Sequence, residues 1–309
     1  MADEIFARDG ELVSEAEWRS RIDGLRSSVP EKPLPEDKAV EMLCSAIERA
    51  VVSRIPKGGK VGLLLSGGVD SSLIALLLKK AGADFKCYTM GFKDQDTKEP
   101  EDVESARKLA EELGLDLKVR MLGLSDAEGL FKKTVKILGP PLTNVVSVGV
   151  AAVEIGTLEL AAADNIRVFF GGLGSEEVFA GYERHKKASD SGDYAINDEC
   201  WAGLLGMYER DLLRDSAVAS AMKVSFATPF LDTGLMRIAM QVPGGLKLRD
   251  GHSKFIIRKA AEKLGLSREI AWRRKRAAQY GSRVDGALGK LARRRGFSLK
   301  KDYLGSLRS

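Results

Sequence analysis

A glycine- and serine-rich turn with one carboxylate follows the first strongly apolar run of the chain, and residues 63–72 read LLLSGGVDSS. The two glycines let backbone N–H groups approach an anion closely, and a helix predicted from about residue 71 adds its positive N-terminus. The serine hydroxyls are donors for phosphate oxygens. The carboxylate repels phosphate unless Mg²⁺ lies between them. The turn therefore predicts a nucleotide-phosphate site formed by Ser66, Gly67, Gly68, Asp70, Ser71 and Ser72.

This turn differs from a Walker A loop, which requires G-x-x-x-x-G-K-S/T. The alternative interpretation is a tight strand-to-helix turn in which Asp70 and Ser71 only cap the helix. The all-apolar run before the turn and the helical pattern after it favour the phosphate site.

Basic side chains that could neutralise phosphate charge stand far along the chain. Lys254 and Arg258 lie four residues apart on one predicted helix face, so both point either to a phosphate cleft or to solvent. Lys275 belongs to the run Arg273–Arg276, which also suits a solvated charged surface.

Alternating strand and helix patterns over residues 58–182 must position these side chains. Short apolar runs predict strands at 61–65, 85–90, 115–121 and 166–170, with helices between them. The alternation predicts an α/β fold with a doubly wound parallel sheet. A ligand in such a sheet binds beyond the carboxyl ends of the strands, where the turn after residue 65 lies.

The remaining chain is predicted to be mostly helical, with no strand after Gly181. We expect an N-terminal extension over 1–35, an α/β part that binds ATP over 36–182, a helical part that closes the active site over 183–285 and a basic tail over 286–309. The apolar stretch 146–163 is interpreted as a buried core helix.

Composition excludes several classes of protein. The 309 residues are 44% hydrophobic and 30% charged, with a net charge of +5 and three widely spaced cysteines. These values exclude a disordered chain and a disulfide scaffold. The acidic start MADEIFARDG has no apolar signal segment, and no apolar run approaches the length of a membrane span, so we expect a cytoplasmic protein without a membrane partner.

The segment SGGVDSS resembles the PP-loop of the ATP pyrophosphatases, a superfamily with an adenine nucleotide alpha hydrolase-like fold. The resemblance implies cleavage of ATP between the α and β phosphates, with adenylation of a substrate. Further segments resemble the synthetase domain of asparagine synthetases, over about residues 36–285. They are GGLGSEEVFAGY at 171–182, YTMGF at 88–92, PFLD at 229–232, the stretch around Lys254 and Arg258, and WRRK at 272–275.

This resemblance implies the ligands and the site. Leu65 and Met90 would contact adenine, and the residues of the turn at 66–72, together with Gly172, would bind ATP. Asp70 and Glu176 would share Mg²⁺, although Glu176 also suits a helix N-terminus. Lys275, with Lys254 and Arg258, would stabilise charge on the phosphates.

Two departures from the family pattern bear on the substrate. Leu173 stands where the motif has a glutamate implicated in proton handling, and Ser225-Phe226-Ala227 replaces the usual E-A-R before Pro229. The chain also has Ala2, where the glutaminase nucleophile would stand, and about 35 residues before the core. We therefore expect ammonia, an amine or a separate glutaminase subunit to supply nitrogen.

The leading hypothesis is an AMP-forming, ATP-dependent amide ligase that acts on aspartate or a similar carboxylate, as in asparagine biosynthesis. The first alternative is a PP-loop enzyme that adenylates tRNA, suggested by the arginines and lysines after residue 273. The second is a non-catalytic nucleotide-binding descendant, suggested by Leu173. The oligomeric state stays open, with a homodimer as one option.

Overall fold

The computed structural model describes residues 4–94, 98–274 and 277–308 and is centred on a parallel sheet. The strands are β1 (Ala7–Arg8), β2 (Glu11–Leu12), β3 (Val61–Leu64), β4 (Phe85–Phe92), β5 (Leu117–Leu122), β6 (Val168–Phe170), β7 (Ser225–Ala227), β8 (Leu248–Arg249) and β9 (His252–Ser253). The central sheet has the order β5-β4-β3-β6-β7, and each neighbouring pair is parallel. The predicted doubly wound α/β class is confirmed.

The direction of strand addition reverses between β3 and β6. The chain adds β4 and β5 on one side of β3 and later returns to add β6 and β7 on the other. A crevice at such a reversal, beyond the carboxyl ends of the strands, is the usual ligand site of an open α/β sheet.

Helices surround this sheet. They are α1 (Glu15–Ser27), α2 (Glu36–Val52), α3 (Val69–Lys80), α4 (Glu101–Leu113), α5 (Leu124–Leu142), α6 (Val145–Ala161), α7 (Ser175–Val178), α8 (Glu183–Ser189), α9 (Asp193–Met207), α10 (Leu213–Met222), α11 (Thr233–Gln241), α12 (Gly244–Lys247), α13 (Phe255–Leu264), α14 (Arg268–Ala271), α15 (Ala278–Gly281), α16 (Val284–Arg294) and α17 (Lys300–Ser306). A π-helical turn, Tyr208–Leu212, joins α9 to α10.

Two apolar cores flank the sheet, because side chains alternate between its faces. On β4, Cys87 belongs to the core that also contains residues of α2, α3 and α13, whereas Tyr88 belongs to the core that contains residues of α5, α6 and α16. Leu63 on β3 is fully buried, as expected for a strand covered on both faces.

Strand β7 corrects the prediction that strands stop after Gly181. It pairs in parallel with β6, with Phe226 opposite Phe169. A three-residue strand that ends shortly before Pro229 is too short to show an alternating pattern, and the sequence therefore does not reveal it. The two-residue pairs β1–β2 and β8–β9 were missed for the same reason.

Residues 4–35 pack onto the rest of the molecule. Ser14 caps α1 by accepting a hydrogen bond from the Glu17 backbone N–H. The Trp18 indole is fully buried and donates to the Leu204 carbonyl of α9 at 3.0 Å. Glu4 accepts hydrogen bonds from Arg54 and from Thr228, just after β7. The N-terminal segment is thereby fixed beside the edge of the sheet.

Helix α6 and the short helical turn after it form one apolar segment, Val145–Asp164. Within the described part of the chain it alone is long and apolar enough to cross a membrane, by length and composition. The expectation that no segment reaches this length is therefore wrong. The helix packs against β4, α5 and α10, and a buried core helix meets the same criterion.

Candidate active site

A cleft of about 270 Å³ opens where the sheet order reverses, beyond the carboxyl ends of β3, β4, β6 and β7. Most of the site residues predicted from the sequence lie around it. Those that line it are Leu65, Ser66, Asp70, Ser71, Met90, Gly172 and Glu176.

The loop after β3 is shaped by close backbone packing. Gly67 has a φ of +65°, and a Cβ there would lie 2.8 Å from the Ser105 carbonyl carbon, so a side chain does not fit. Gly68 is the N-cap residue of α3. The Ser71 hydroxyl donates to the Gly68 carbonyl and accepts from the Ser66 backbone N–H, both at 3.3 Å. These contacts place the N-terminus of α3 against the cleft.

Not every residue of the predicted phosphate loop reaches the cleft. Gly67 and Gly68 shape the loop without lining the cleft, and Ser72 is fully buried beneath it. The Ser72 hydroxyl has no hydrogen-bond partner among the described residues. Ser72 is placed as a core position of α3.

Lys254 joins the two carboxylates that the resemblance assigns to magnesium. Its ammonium lies 2.8 Å from Asp70 Oδ2 and 2.9 Å from Glu176 Oε1. The Ser175 hydroxyl donates to Asp70 Oδ1 at 2.5 Å and lies 3.2 Å from the ammonium. Burial alone would lower the pKa of Lys254, but Asp70 and Glu176 raise it, so the ammonium stays charged.

Two glycines leave room for the side chains of Asp70, Glu176 and Lys254. A Cβ on Gly181 would lie 1.6 Å from Glu176 Oε2 and 2.7 Å from the Lys254 Cε atom. A Cβ on Gly172 would lie 3.1 Å from the Asp70 Cβ. A side chain at position 181 would displace the Glu176 carboxylate, and one at position 172 would press on Asp70.

The donor set fits magnesium. Mg²⁺ prefers oxygen ligands and is commonly bound by one or two carboxylates together with substrate phosphates. Asp70 and Glu176 supply two carboxylates that already converge on one positive charge, beside a loop suited to phosphate. No cluster of three or more His, Cys, Asp or Glu ligands occurs within the described ranges, so the set suits a cation that the phosphates help to hold.

The other two predicted basic residues have different positions. Arg258 is buried and donates to the backbone carbonyls of Ser253, Ala271 and Arg273, so its guanidinium holds the segment after α14. By these contacts it is a positioning residue. Lys275 lies outside the described residues.

Arg273, which no prediction above assigns to the site, contacts the phosphate loop. It donates to the carbonyls of Ser66 and Gly67 at 3.3 and 3.1 Å. It also donates to the Glu101 carbonyl at 3.0 Å. Its place in the segment WRRK was the available signal. Arg273 ties the phosphate loop to α4 and to the segment that leads to Lys275.

The wall of the cleft opposite the phosphate loop carries a buried acidic cluster, also missed from sequence. Arg214 of α10 donates to Asp215 at 2.7 Å and to Asp211 at 3.0 Å, and Glu154 of α6 lies 4.0 Å away. Burial, and then the charge of Asp215, raise the pKa of Glu154 well above its ordinary value. Burial also raises the pKa of Asp215.

The basic C-terminal residues are partly neutralised within the chain. Arg295 pairs with Glu128, Lys300 pairs with Asp285, and Arg308 donates to the Thr143 carbonyl. These pairs reduce the free positive charge that suggested a nucleic-acid partner.

The family model described as "Asparagine synthase" matches residues 42–197 and 188–306. A protein of Methanocaldococcus jannaschii assigned as a glutamine-hydrolyzing asparagine synthetase is 30% identical over 86% of this chain and 53% of its own length. Asparagine synthetase B of Escherichia coli K12, also glutamine-hydrolyzing, is 27% identical over 88% of this chain and 49% of its own length.

The chain thus spans about half the length of these curated relatives. Solved structures match more weakly. An NH3-dependent NAD synthetase from Campylobacter jejuni gives a TM-score of 0.32 at 21% identity, over 62% of this chain and 92% of that chain.

Proposed function

The chain belongs to the asparagine synthase family, and from that premise we propose that it is an ATP-dependent amide-forming ligase. It adenylates a carboxylate substrate, releases pyrophosphate, and then passes the acyl group to ammonia or an amine with release of AMP. The observation that carries this proposal is the Lys254 ammonium between Asp70 and Glu176, beside the loop of Ser66 and Ser71 at the reversal of the sheet.

The residues of the cleft divide the binding of ATP between them. Leu65 and Met90 offer apolar surface for adenine, and the loop at 66–71 offers backbone N–H groups and hydroxyls for the phosphates. Gly172 leaves room beside Asp70. Asp70 and Glu176 would hold Mg²⁺, which when bound supplies positive charge against the phosphate oxygens.

Catalysis then depends on fixed charge. Lys254 is held by Asp70, Ser175 and Glu176, so it needs little rearrangement when charge grows on the phosphates. We assign Lys275 the same task at the leaving pyrophosphate. We assign Arg258 and Arg273 the task of fixing the segment that precedes Lys275. Attack by the carboxylate on the α-phosphorus forms the acyl-adenylate, and attack by nitrogen forms the amide.

The source of nitrogen is part of the proposal. The curated relatives are described as glutamine-hydrolyzing, and this chain spans about half of their length. Free ammonia, an amine or a separate glutaminase subunit supplies the nitrogen, and aspartate is the first carboxylate to test.

Exchange of labelled pyrophosphate into ATP tests adenylation whatever the final acceptor is. We expect exchange that requires Mg²⁺ and a carboxylate, and AMP release once an amine is added. Asp70→Asn should lower the exchange rate about 100-fold or more, because it removes one charge from the Lys254 cluster. Asp23→Asn on the exposed face of α1 is the matched control and should retain the wild-type rate.

Three outcomes would contradict the proposal. ATP binding without exchange across a broad carboxylate panel would identify a non-catalytic nucleotide-binding protein. Exchange that appears only with tRNA, together with salt-dependent tRNA binding, would support the tRNA-directed alternative. Equal exchange rates for Asp70→Asn and wild type would show that adenylation does not depend on this cleft.

A further inference from the structure

A second chamber, also of about 270 Å³, adjoins the nucleotide cleft. The two share Leu173, Asp215 and Phe226, which form the boundary between them. The N-terminal hairpin of β1 and β2 covers the chamber from outside, with Phe6 and Leu12 among its lining residues. A ligand bound at the boundary can therefore extend away from the phosphate loop.

Most residues that line this chamber are apolar, and Glu4, Asp9 and Asp215 add carboxylates. Leu12, Leu212, Val224 and Phe226 contribute apolar side chains, and Ala219 contributes only a methyl group. Leu173 and Ser225, where the motifs quoted above have glutamate, also line it. An apolar chain would transfer favourably from water into this space.

The boundary itself is negatively charged. Glu154, Asp211 and Asp215 surround Arg214, and Arg210, the other guanidinium bonded to Asp211, also binds Glu177. Arg184 also pairs with Glu177 at 3.9 Å, so four carboxylates share three guanidiniums. Burying such a surplus is costly unless a proton or a cation balances it. Burial raises the pKa of both Glu154 and Asp215, as expected for a pair that holds a proton when no cation is bound.

Two acceptor atoms in the cleft lack donors. Glu154 Oε2 is buried without a hydrogen-bond partner in the part of the chain that the structure describes. The same holds for Gln279 Oε1, whose side chain lines the cleft and whose residue is only 6% exposed. Gln279 packs on Gly149 of α6, five residues before Glu154, a rise of about 7.5 Å along the helix. Gln279 Oε1 calls for a ligand with an N–H group, and an ammonium can replace the proton that the Glu154–Asp215 pair holds.

The π-helical turn Tyr208–Leu212 independently marks this wall. It interrupts the helical run between α9 and α10 and carries Arg210 and Asp211 into the cluster. Such turns occur frequently at functional sites.

We propose that the nitrogen substrate is a primary amine with an apolar tail, whose ammonium binds at Glu154 and Asp215 and whose tail enters the chamber covered by the N-terminal hairpin. This inference rests on the proposed amide-forming function and names its acceptor. Ammonia would leave the chamber unused.

The chemistry balances without a further reactant. The ammonium transfers one proton to a carboxylate of the Glu154–Asp215 pair, which exposes the nitrogen lone pair. The nitrogen attacks the acyl carbon of the acyl-adenylate, the C–N bond forms, and the C–O bond to phosphate breaks with its electron pair leaving on AMP. A second proton then leaves the nitrogen for water, which gives a neutral amide.

The test compares acceptors after exchange has identified a carboxylate. Amide formation is measured with ammonium, ethylamine, butylamine and hexylamine, and ester formation is measured with hexanol, which offers the same chain without a charge. We expect kcat/KM to rise about fourfold for each methylene added until the chamber is filled. Glu154→Gln should lower kcat/KM for hexylamine at least tenfold.

A filling variant locates the tail. Ala219→Phe should lower the ratio of amide formed from hexylamine to amide formed from ammonium at least tenfold. The same substitution at the exposed Ala81, just beyond the end of α3 far from the cleft, should leave that ratio at the wild-type value. Because the ratio is internal to each preparation, partial loss of folded protein does not change it.

Each result has a defined meaning. If exchange occurs but ammonium is the best acceptor, and kcat/KM does not rise with the length of the amine, the inference of an apolar amine is overturned. The proposed amide-forming function would still stand. If the rate of amide formation instead rises with the length of the carboxylate, and Ala219→Phe abolishes that rise, the chamber binds the acid. This result would also overturn the inference.

If no carboxylate supports exchange, the proposed function fails, and binding still tests the chamber. Hexylamine should raise the thermal midpoint of the wild-type protein and not of Glu154→Gln. No shift with the wild-type protein would overturn the inference.

Discussion

Lys254 shows how one residue holds the candidate site together. Its backbone has a φ of +59°, in the left-handed region, immediately before α13. A lysine there carries a conformational cost that glycine or asparagine would largely avoid. The cost is consistent with the side chain's contacts to Asp70, Ser175 and Glu176, which a residue inside the helix could not make in the same way.

Gly181 provides a prediction at this scale. Gly181→Ala introduces a Cβ 1.6 Å from the present position of Glu176 Oε2, so the carboxylate and Lys254 must move. We expect pyrophosphate exchange to fall about 100-fold, because a small misplacement of charged groups in an active site has effects of this order.

The matched control is Gly206→Ala within α9, where an added Cβ meets nothing within 4 Å. It should leave exchange unchanged and stabilise the protein by up to about 1 kcal/mol through helix propensity. Equal exchange rates for Gly181→Ala and Gly206→Ala would show that the Glu176 carboxylate is not needed where it lies.

At the scale of elements, the segment after α14 connects the phosphate loop to the rest of the site. Arg258 binds it from α13, and Arg273 extends from it to the carbonyls of Ser66 and Gly67. These contacts join elements from distant parts of the chain. Through them helix α13, which does not line the cleft, can still influence the shape of the phosphate loop.

Arg273→Met removes that connection. The loop carbonyls lose their donor, so we expect KM for ATP to rise about tenfold with a smaller change in kcat. Arg273→Lys keeps a cation and should restore part of the affinity. Arg274→Met, at the exposed neighbouring position, is the control and should match wild type. A fall in kcat alone would argue that Arg273 acts in the chemical step instead.

The same scale explains what could be predicted from sequence. Strand β3 is a continuous apolar run and helix α4 has strong periodicity, so their positions follow closely from the residue pattern. The loop at 66–72 was evident because its glycines, serines and Asp70 are adjacent in sequence. Strand β7 was missed because three residues carry no period.

The acidic wall could not be predicted for a different reason. Glu154 and Arg214 lie 60 residues apart on separate helices, and neither stands in a recognisable motif. Their juxtaposition depends on how α6 and α10 pack, which no local pattern encodes. Lys254 and Arg258 share a spacing of four, yet one binds carboxylates and the other binds backbone carbonyls, because the first precedes the helix in a left-handed conformation.

At the scale of the whole molecule, stability depends on ionisable groups buried far from solvent. His185 is fully buried, and its Nδ1 accepts a hydrogen bond from the Tyr182 backbone N–H. Burial, followed by the charge of Arg184, lowers the pKa of His185 from 6.5 to about 3. The folded protein thus keeps this ring neutral in a range where the unfolded chain protonates it.

The sign of the effect follows directly. The stability contributed by neutral His185 is present above pH 6.5 and is lost as pH falls from 6.5 towards 3, because the unfolded state then binds more protons. The loss is on the order of 4 kcal/mol over this range.

The measurement is the free energy of unfolding by urea at several pH values. His185→Asn keeps an acceptor for the Tyr182 N–H and should remove this part of the slope. Identical slopes for wild type and His185→Asn would mean that the ring is protonated in the folded protein.

The N-terminal hairpin has a practical consequence for engineering. It lies over the chamber, whereas the groups proposed to bind ATP come from later parts of the chain. Glu4 fastens this covering through Arg54 and Thr228, and Arg21 donates to the carbonyls of Ile5 and Ala7. Phe6 and Leu12, which face the chamber, can therefore be varied while these contacts hold the hairpin, to obtain ligases that accept different amines.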